Sequence, residues 1–185
     1  MIRVNHDHGP VYRVVRQGHR NPLDTSFSQT SADNRWNTKA FPALYCCCGI
    51  RVARAIVRDL FRFASVETSE LRAGWRPKLV AIDWSGDVVD AATAKGVAAA
   101  RLPADYPLNA DRARTRALAV RWRDAGAQGV VARSASLSKL GVRRFTGDHA
   151  QWSELAIFVD VARNAPAISP VQPKGNWLLP ADPQH

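Results

Sequence analysis

A single α/β domain followed by a proline-rich arm is the architecture this sequence predicts, on three observations. Short apolar runs of strand length alternate with stretches of helical periodicity from Val11 to Val161. The 185 residues are enough for one well-packed core and too few for two. Five prolines follow Asn164, where the periodicity stops. The domain is therefore drawn over residues 11–163 and the arm over 164–185.

The elements follow in order. "VYRVV" (11–15) alternates weakly and predicts a strand. Residues 16–40 are polar and turn-rich, with Gly18, Asn21-Pro22 and a Ser/Thr cluster from Thr25 to Ser31. A long loop is expected there, and long loops inside compact domains are commonly functional. "FPALYCCC" (41–48) reads as a second strand closed by Gly49. In 50–64, Ala53, Val57, Leu60, Phe61 and Ala64 recur at the spacing of one buried helix face. Arg51, Arg54, Arg58 and Arg62 take the other side, as a solvated face or a surface for an acidic partner. "KLVAIDW" (78–84) is a strand, then a turn at Ser85-Gly86. A short alanine-rich helix is expected to start near Asp90, a good N-cap type. A loop with two prolines leads to a helix over 110–125, stopped by Gly126. "GVVARSAS" (129–136) is a strand entering a polar loop, and "ELAIFVDV" (154–161) is the last strand. The arm is irregular, either docked through Trp177, Leu178 and Leu179 or disordered.

Composition narrows the function. Apolar residues make up 46% and charged residues 23%, as in ordinary soluble domains. No apolar run reaches the length of a membrane span. The first residues, "MIRVNHDHGPVYR", lack the pattern of a signal peptide, so a cytoplasmic location is expected. Cys46, Cys47 and Cys48 are consecutive, and His6, His8, His19, His149 and His185 form no ligand pattern. Buried structural thiols and no metal are expected. Net charge is +10, and 21 of the 26 basic residues are arginine. That charge suits a nucleic-acid surface, a phosphorylated small substrate or acidic protein partner, or merely solvated faces. No G-x-G-x-x-G, P-loop, G-x-S-x-G or H-E-x-x-H occurs, so a phosphate cradle here would be made of arginine side chains.

Motif order carries more information. Tyr12-Arg13 on the first strand precedes a Ser/Thr-rich loop and Arg35-Trp36-Asn37. An apolar strand with Tyr45, a helix and later "GVVARSA" with Ser134 follow. This ordered set resembles the RES domain, the toxin half of bacterial Xre–RES toxin–antitoxin pairs, over about residues 11–161. The resemblance implies an ADP-ribosyltransferase-like fold, a mixed sheet flanked by helices. It also implies consumption of NAD⁺, with the ADP-ribosyl group passed to water, phosphate or a protein. The implied partner is an Xre-type antitoxin with a DNA-binding domain, and a homodimer within such a complex is one arrangement it allows. Carried over, Arg13 and Arg35 bind the diphosphate or ribose side of NAD⁺, Tyr45 lines the nicotinamide pocket, and Ser134 is the family serine.

Two features depart from the pattern: "SADN" (31–34) stands where a glycine pair often precedes Arg-Trp-Asn, and the family glutamate is missing. The family glutamate falls eleven residues after the strand tyrosine, and that position is Ile56. Asp59, one turn along the helix and about 60° around it, is the candidate to take its place. Glu67 and Glu70 are more distant candidates. Without a substitute carboxylate, the chain would be a RES fold that binds nucleotide or antitoxin without turnover.

Overall fold

The computed structural model describes residues 1–7, 9–31, 34–64, 70–142, 152–173 and 176–178. They form an eight-stranded sheet of β1 (Arg3–His6), β2 (Val11–Arg16), β3 (Ala43–Cys47), β4 (Pro77–Asp83), β5 (Gly86–Ala91), β6 (Gly129–Arg133), β7 (Ser153–Phe158) and β8 (Ala167–Ile168). Across the sheet the order is β1-β5-β6-β7-β3-β2-β4-β8. Only β5 and β6 run parallel; the other neighbours are antiparallel. Helices α1 (Ser26–Thr30), α2 (Ile50–Ala64), α3 (Ala94–Ala99), α4 (Arg112–Asp124) and α5 (Ala135–Lys139) connect the strands.

Alternation along the strands divides the core between the two faces. Leu44, Val88, Val131, Leu155 and Ile157 pack on one face with Val52 and Ala53 of α2 and Leu137 of α5. Ala43, Val89, Val130, Ala156 and Phe158 pack on the other with Val97 of α3 and Ala119 and Trp122 of α4. The mixed sheet flanked by helices is the expected architecture. No helix among the described residues is long and apolar enough to cross a membrane.

Several elements differ from expectation. The stretch 16–40 is not all loop: it contains α1, held on β3 by Ser28, whose Oγ accepts from Ala43 N at 3.0 Å. Asp90 lies within β5 and caps no helix; its Oδ1 accepts from Ala92 N and Thr93 N, and Thr93 is the N-cap of α3. The polar loop expected after β6 is helix α5 instead, and Ser134, next after the strand, is its N-cap, accepting from Leu137 N. On α2, Ala53 and Val57 are buried as expected, but Leu60 is exposed and Asp59 buried in its place, because α5 supplies Asp59 with partners. Of the arginine stripe, Arg51, Arg58 and Arg62 are exposed, whereas Arg54 donates to the Trp177 carbonyl. The described part of the arm is docked: β8 pairs with β4, Gln172 exchanges hydrogen bonds with the Ala81 backbone, and Trp177 packs against the first core. Leu179 lies outside the described residues.

Gly96 fixes how closely α3 sits on β5. A Cβ there would lie 2.4 Å from the Asp90 carbonyl oxygen. Helix propensity alone would make Gly96→Ala stabilising by about 1 kcal/mol. The backbone clash outweighs it, and a net loss of about 1–3 kcal/mol is expected in urea denaturation. A more stable variant would show that α3 stands off the sheet.

Candidate functional site

The neighbouring strands β2 and β3 share a single register pair, Tyr12 with Cys47. By contrast, β2 pairs along its whole length with β4, and β3 along its whole length with β7. Beyond that one pair the two strands part, and a cavity of about 260 Å³ opens, walled by both strands, α1, α2 and β7. Arg13, Tyr45, Ile56, Phe27 and Glu154 line it.

Tyr45 is fixed by the segment that precedes its strand. Its hydroxyl accepts from Trp36 N at 2.9 Å and donates to Asn37 Oδ1 at 2.9 Å. Asn37 Nδ2 in turn donates to the Ser28 carbonyl, tying the segment to α1. Burial pushes the phenol up to about 12, so Tyr45 is neutral at physiological pH and offers a ring face rather than a base.

Arg13 reaches from β2 into the 16–40 stretch. Its Nη1 donates to the Pro22 carbonyl at 2.8 Å and its Nη2 to the Asp24 carbonyl at 2.9 Å. Burial lowers its pKa from the ordinary arginine value, and it remains a cation at neutral pH. A guanidinium has five N–H donors, so two such bonds leave three for a ligand.

Arg35 stands behind the cavity wall. Its Nη2 donates to Glu154 Oε2 at 2.8 Å, with the two side chains 14% and 18% exposed. Burial works against its charge, but Tyr106, Glu154 and Tyr45 raise its pKa above the ordinary value. Its Nη1 and the Tyr106 hydroxyl are both buried without a hydrogen-bond partner among the described residues.

The remaining predicted residues lie elsewhere. Ser134 is fully buried and spends its hydroxyl on the α5 cap, away from the cavity lining. Asp59 points to α5, where Oδ2 accepts from Ser136 Oγ at 3.1 Å and Lys139 Nζ at 2.9 Å. It is not among the lining residues either. Glu67 falls outside the described residues, and Glu70 precedes the short turn Ala73–Trp75, off the cavity. Thus Arg13 and Tyr45 share the cavity with Ile56, while Arg35 contacts it through Glu154. Sequence reading missed Glu154 and Phe27. The available signals were a carboxylate opening an otherwise apolar strand and a phenylalanine within a polar stretch.

Cys46 and Cys47 also line the cavity, and burial pushes Cys46 up to about 12 and Cys47 well above the usual thiol range. At pH 8 a thiol of this kind has roughly 10³-fold less thiolate than a free cysteine. Both are expected to resist iodoacetamide in the native protein and to react after denaturation, read by peptide mass mapping. Labelling at the rate of a free thiol would place these side chains at the surface.

A mixed sheet parted over an arginine, a tyrosine and a carboxylate defines an α/β domain built around a small, mostly apolar cavity with a few polar side chains in its wall. Its fold is similar to a chain in the crystal structure of the M. tuberculosis MbcT–MbcA toxin–antitoxin complex. The TM-score is 0.67 at 19% identity, over 89% of this chain and 83% of that one. No curated protein matches the chain. The RES domain family model matches residues 10–178, and the chain belongs to that family. The match takes in β8 and all of the described arm.

Proposed function

We propose that this chain is a RES-type toxin that breaks the nicotinamide–ribose bond of NAD⁺ and passes the ADP-ribosyl group to water, phosphate or a protein. It acts in the cytoplasm and is held inactive by an Xre-type antitoxin that covers the cavity. The observation that carries this reading is the cavity itself, which brings the family's first arginine and its strand tyrosine onto one surface in the parting of β2 and β3.

The chemistry suits those residues. The diphosphate needs charge-assisted donors, and Arg13 has three to give. The cationic nicotinamide ring is held by an aromatic face, for which Tyr45 and the exposed Phe27 are available. About 260 Å³ suits the nicotinamide–ribose end, with the rest of the dinucleotide extending past Arg13 to the rim. Bond cleavage passes through a cationic, oxocarbenium-like sugar, which a dry, fixed set of dipoles and charges stabilises.

The test is incubation of purified protein with NAD⁺, with and without phosphate, and chromatography of the products. Nicotinamide release is expected, falling by about 10²-fold or more in Arg13→Ala. No release under any acceptor condition overturns the reading. One observation favours a second reading: Ile56, at the position the resemblance assigns to a glutamate, lines the cavity. In a non-catalytic RES domain, NAD⁺ or ADP-ribose would raise the melting temperature with no product formed.

A further inference from the structure

Breaking the bond to nicotinamide leaves positive charge on the ribosyl carbon, and a carboxylate facing that carbon stabilises it. Resting on the NAD⁺-cleaving reading above, we propose that Glu154, on β7, is the carboxylate that meets this cation, and that Arg35 is the positioning residue that aims it.

Four observations converge on Glu154. Among the described residues lining the cavity it is the only acid. The helix position that faces the same space is Ile56, which has no charge to give. Asp59, the nearest acid on that helix, is committed to Lys139 and Ser136 on α5. Finally, Glu154 is held in an asymmetric way: Arg35 takes Oε2, and Oε1 receives no hydrogen bond from the described residues. A carboxylate with one oxygen pinned and the other unspent, on the wall of a cavity, is arranged to face a ligand. Its place is set by backbone register, since Glu154 lies opposite Cys47 of β3 on one side and Ala132 of β6 on the other. That makes the position rigid in a way a loop carboxylate is not.

The step balances without any further reactant. The ribosyl C1′–N bond breaks with its electron pair going to the ring nitrogen, so nicotinamide leaves neutral and C1′ becomes the cation facing Glu154. Water then forms the new C1′–O bond, and its proton passes to the carboxylate and on to solvent. When phosphate is the acceptor, its oxyanion attacks directly and no proton moves. Arg35 touches no reacting atom; it holds Oε2 so that the other oxygen faces the sugar.

The experiment compares nicotinamide release and NAD⁺ affinity in the wild type, Glu154→Gln, Arg35→Lys, Arg35→Met and the swap Ile56→Glu/Glu154→Gln. Glu154→Gln is expected to lower kcat by about 10²- to 10³-fold while the NAD⁺ dissociation constant changes less than about threefold. Arg35→Met is expected to follow it, Arg35→Lys to retain most activity, and the swap to recover at least tenfold over Glu154→Gln. If Glu154→Gln does not fold, Glu154→Asp replaces it. Withdrawing the carboxylate by one methylene should then cost about tenfold in kcat. A wild type that releases nicotinamide while Glu154→Gln or Glu154→Asp keeps full kcat overturns the assignment of Glu154 and leaves the enzyme reading standing. A wild type that releases none overturns both.

Discussion

Trp36→Ala is expected to lower stability by about 3–5 kcal/mol, a drop in melting temperature of roughly 6–20 °C for a chain of this size, and, on the proposed NAD⁺-cleaving function, to slow nicotinamide release about 10²-fold. The indole is 2% exposed, stacks on Trp122 with ring centroids 5.6 Å apart, and meets the Tyr106 ring edge-on at 6.2 Å. It is the largest fully buried side chain of its core, so its removal leaves a cavity between α4 and the sheet that no neighbour can fill. The second consequence comes through the backbone. Trp36 N is the donor that fixes the Tyr45 hydroxyl, and Arg35 precedes it in the chain. A shift of the segment by about 1 Å therefore displaces both the ring face and the ion pair, enough to cost about 10²-fold in rate. Thermal melting and nicotinamide release on one preparation measure both effects. A melting temperature within 2 °C of wild type would mean that the tryptophan is not packed as described.

A second large effect is expected from the pair behind the cavity wall. Arg35→Met strands the Glu154 carboxylate, and Glu154→Leu strands the guanidinium; each is expected to cost about 3 kcal/mol. The low end of the range for buried pairs applies because the side chains keep 14% and 18% exposure. The double variant Arg35→Met/Glu154→Leu is expected to be more stable than either single one, since neither charge is then left unpaired. Denaturant unfolding of the three variants beside the wild type gives the coupling energy, expected at about 3 kcal/mol or more. Coupling near zero would place the two groups in water rather than in contact.

Local chemistry decided what was legible in the sequence. Helix α2 was readable to its ends, residues 50–64, because a fifteen-residue amphipathic repeat outweighs everything around it. Its buried sector was not, since which of Asp59 and Leu60 turns inward depends on Lys139 and Ser136, eighty and seventy-seven residues away. β1 is four residues with no alternation of polarity, and it exists because β5 offers it an edge. Within the cavity, Arg13 and Tyr45 were recognisable from motif order alone. Glu154 was not, because it meets Arg35 across 119 residues and only the register of β3 on β7 brings it to the wall. The same cause explains Asp90 and Ser134. Each residue type suits a cap, but whether it caps a helix or ends a strand was settled by how far the neighbouring strand pairing extends.

The two outermost strands have a further consequence. β1 and β8 are the shortest of the sheet, at four and two residues, and each covers the outer edge of a longer, strongly apolar strand, β5 or β4. Neither lies inside residues 11–163, the span that periodicity alone marks out as the domain. A protein trimmed to that span would keep the whole cavity and lose both covers. Val88 and Val89 on one side, and Ala81 to Asp83 on the other, would then present bare hydrogen-bonding edges to neighbouring molecules. Removing β1 and β8 is therefore expected to promote self-association through those two edges while the residues lining the cavity stay in place.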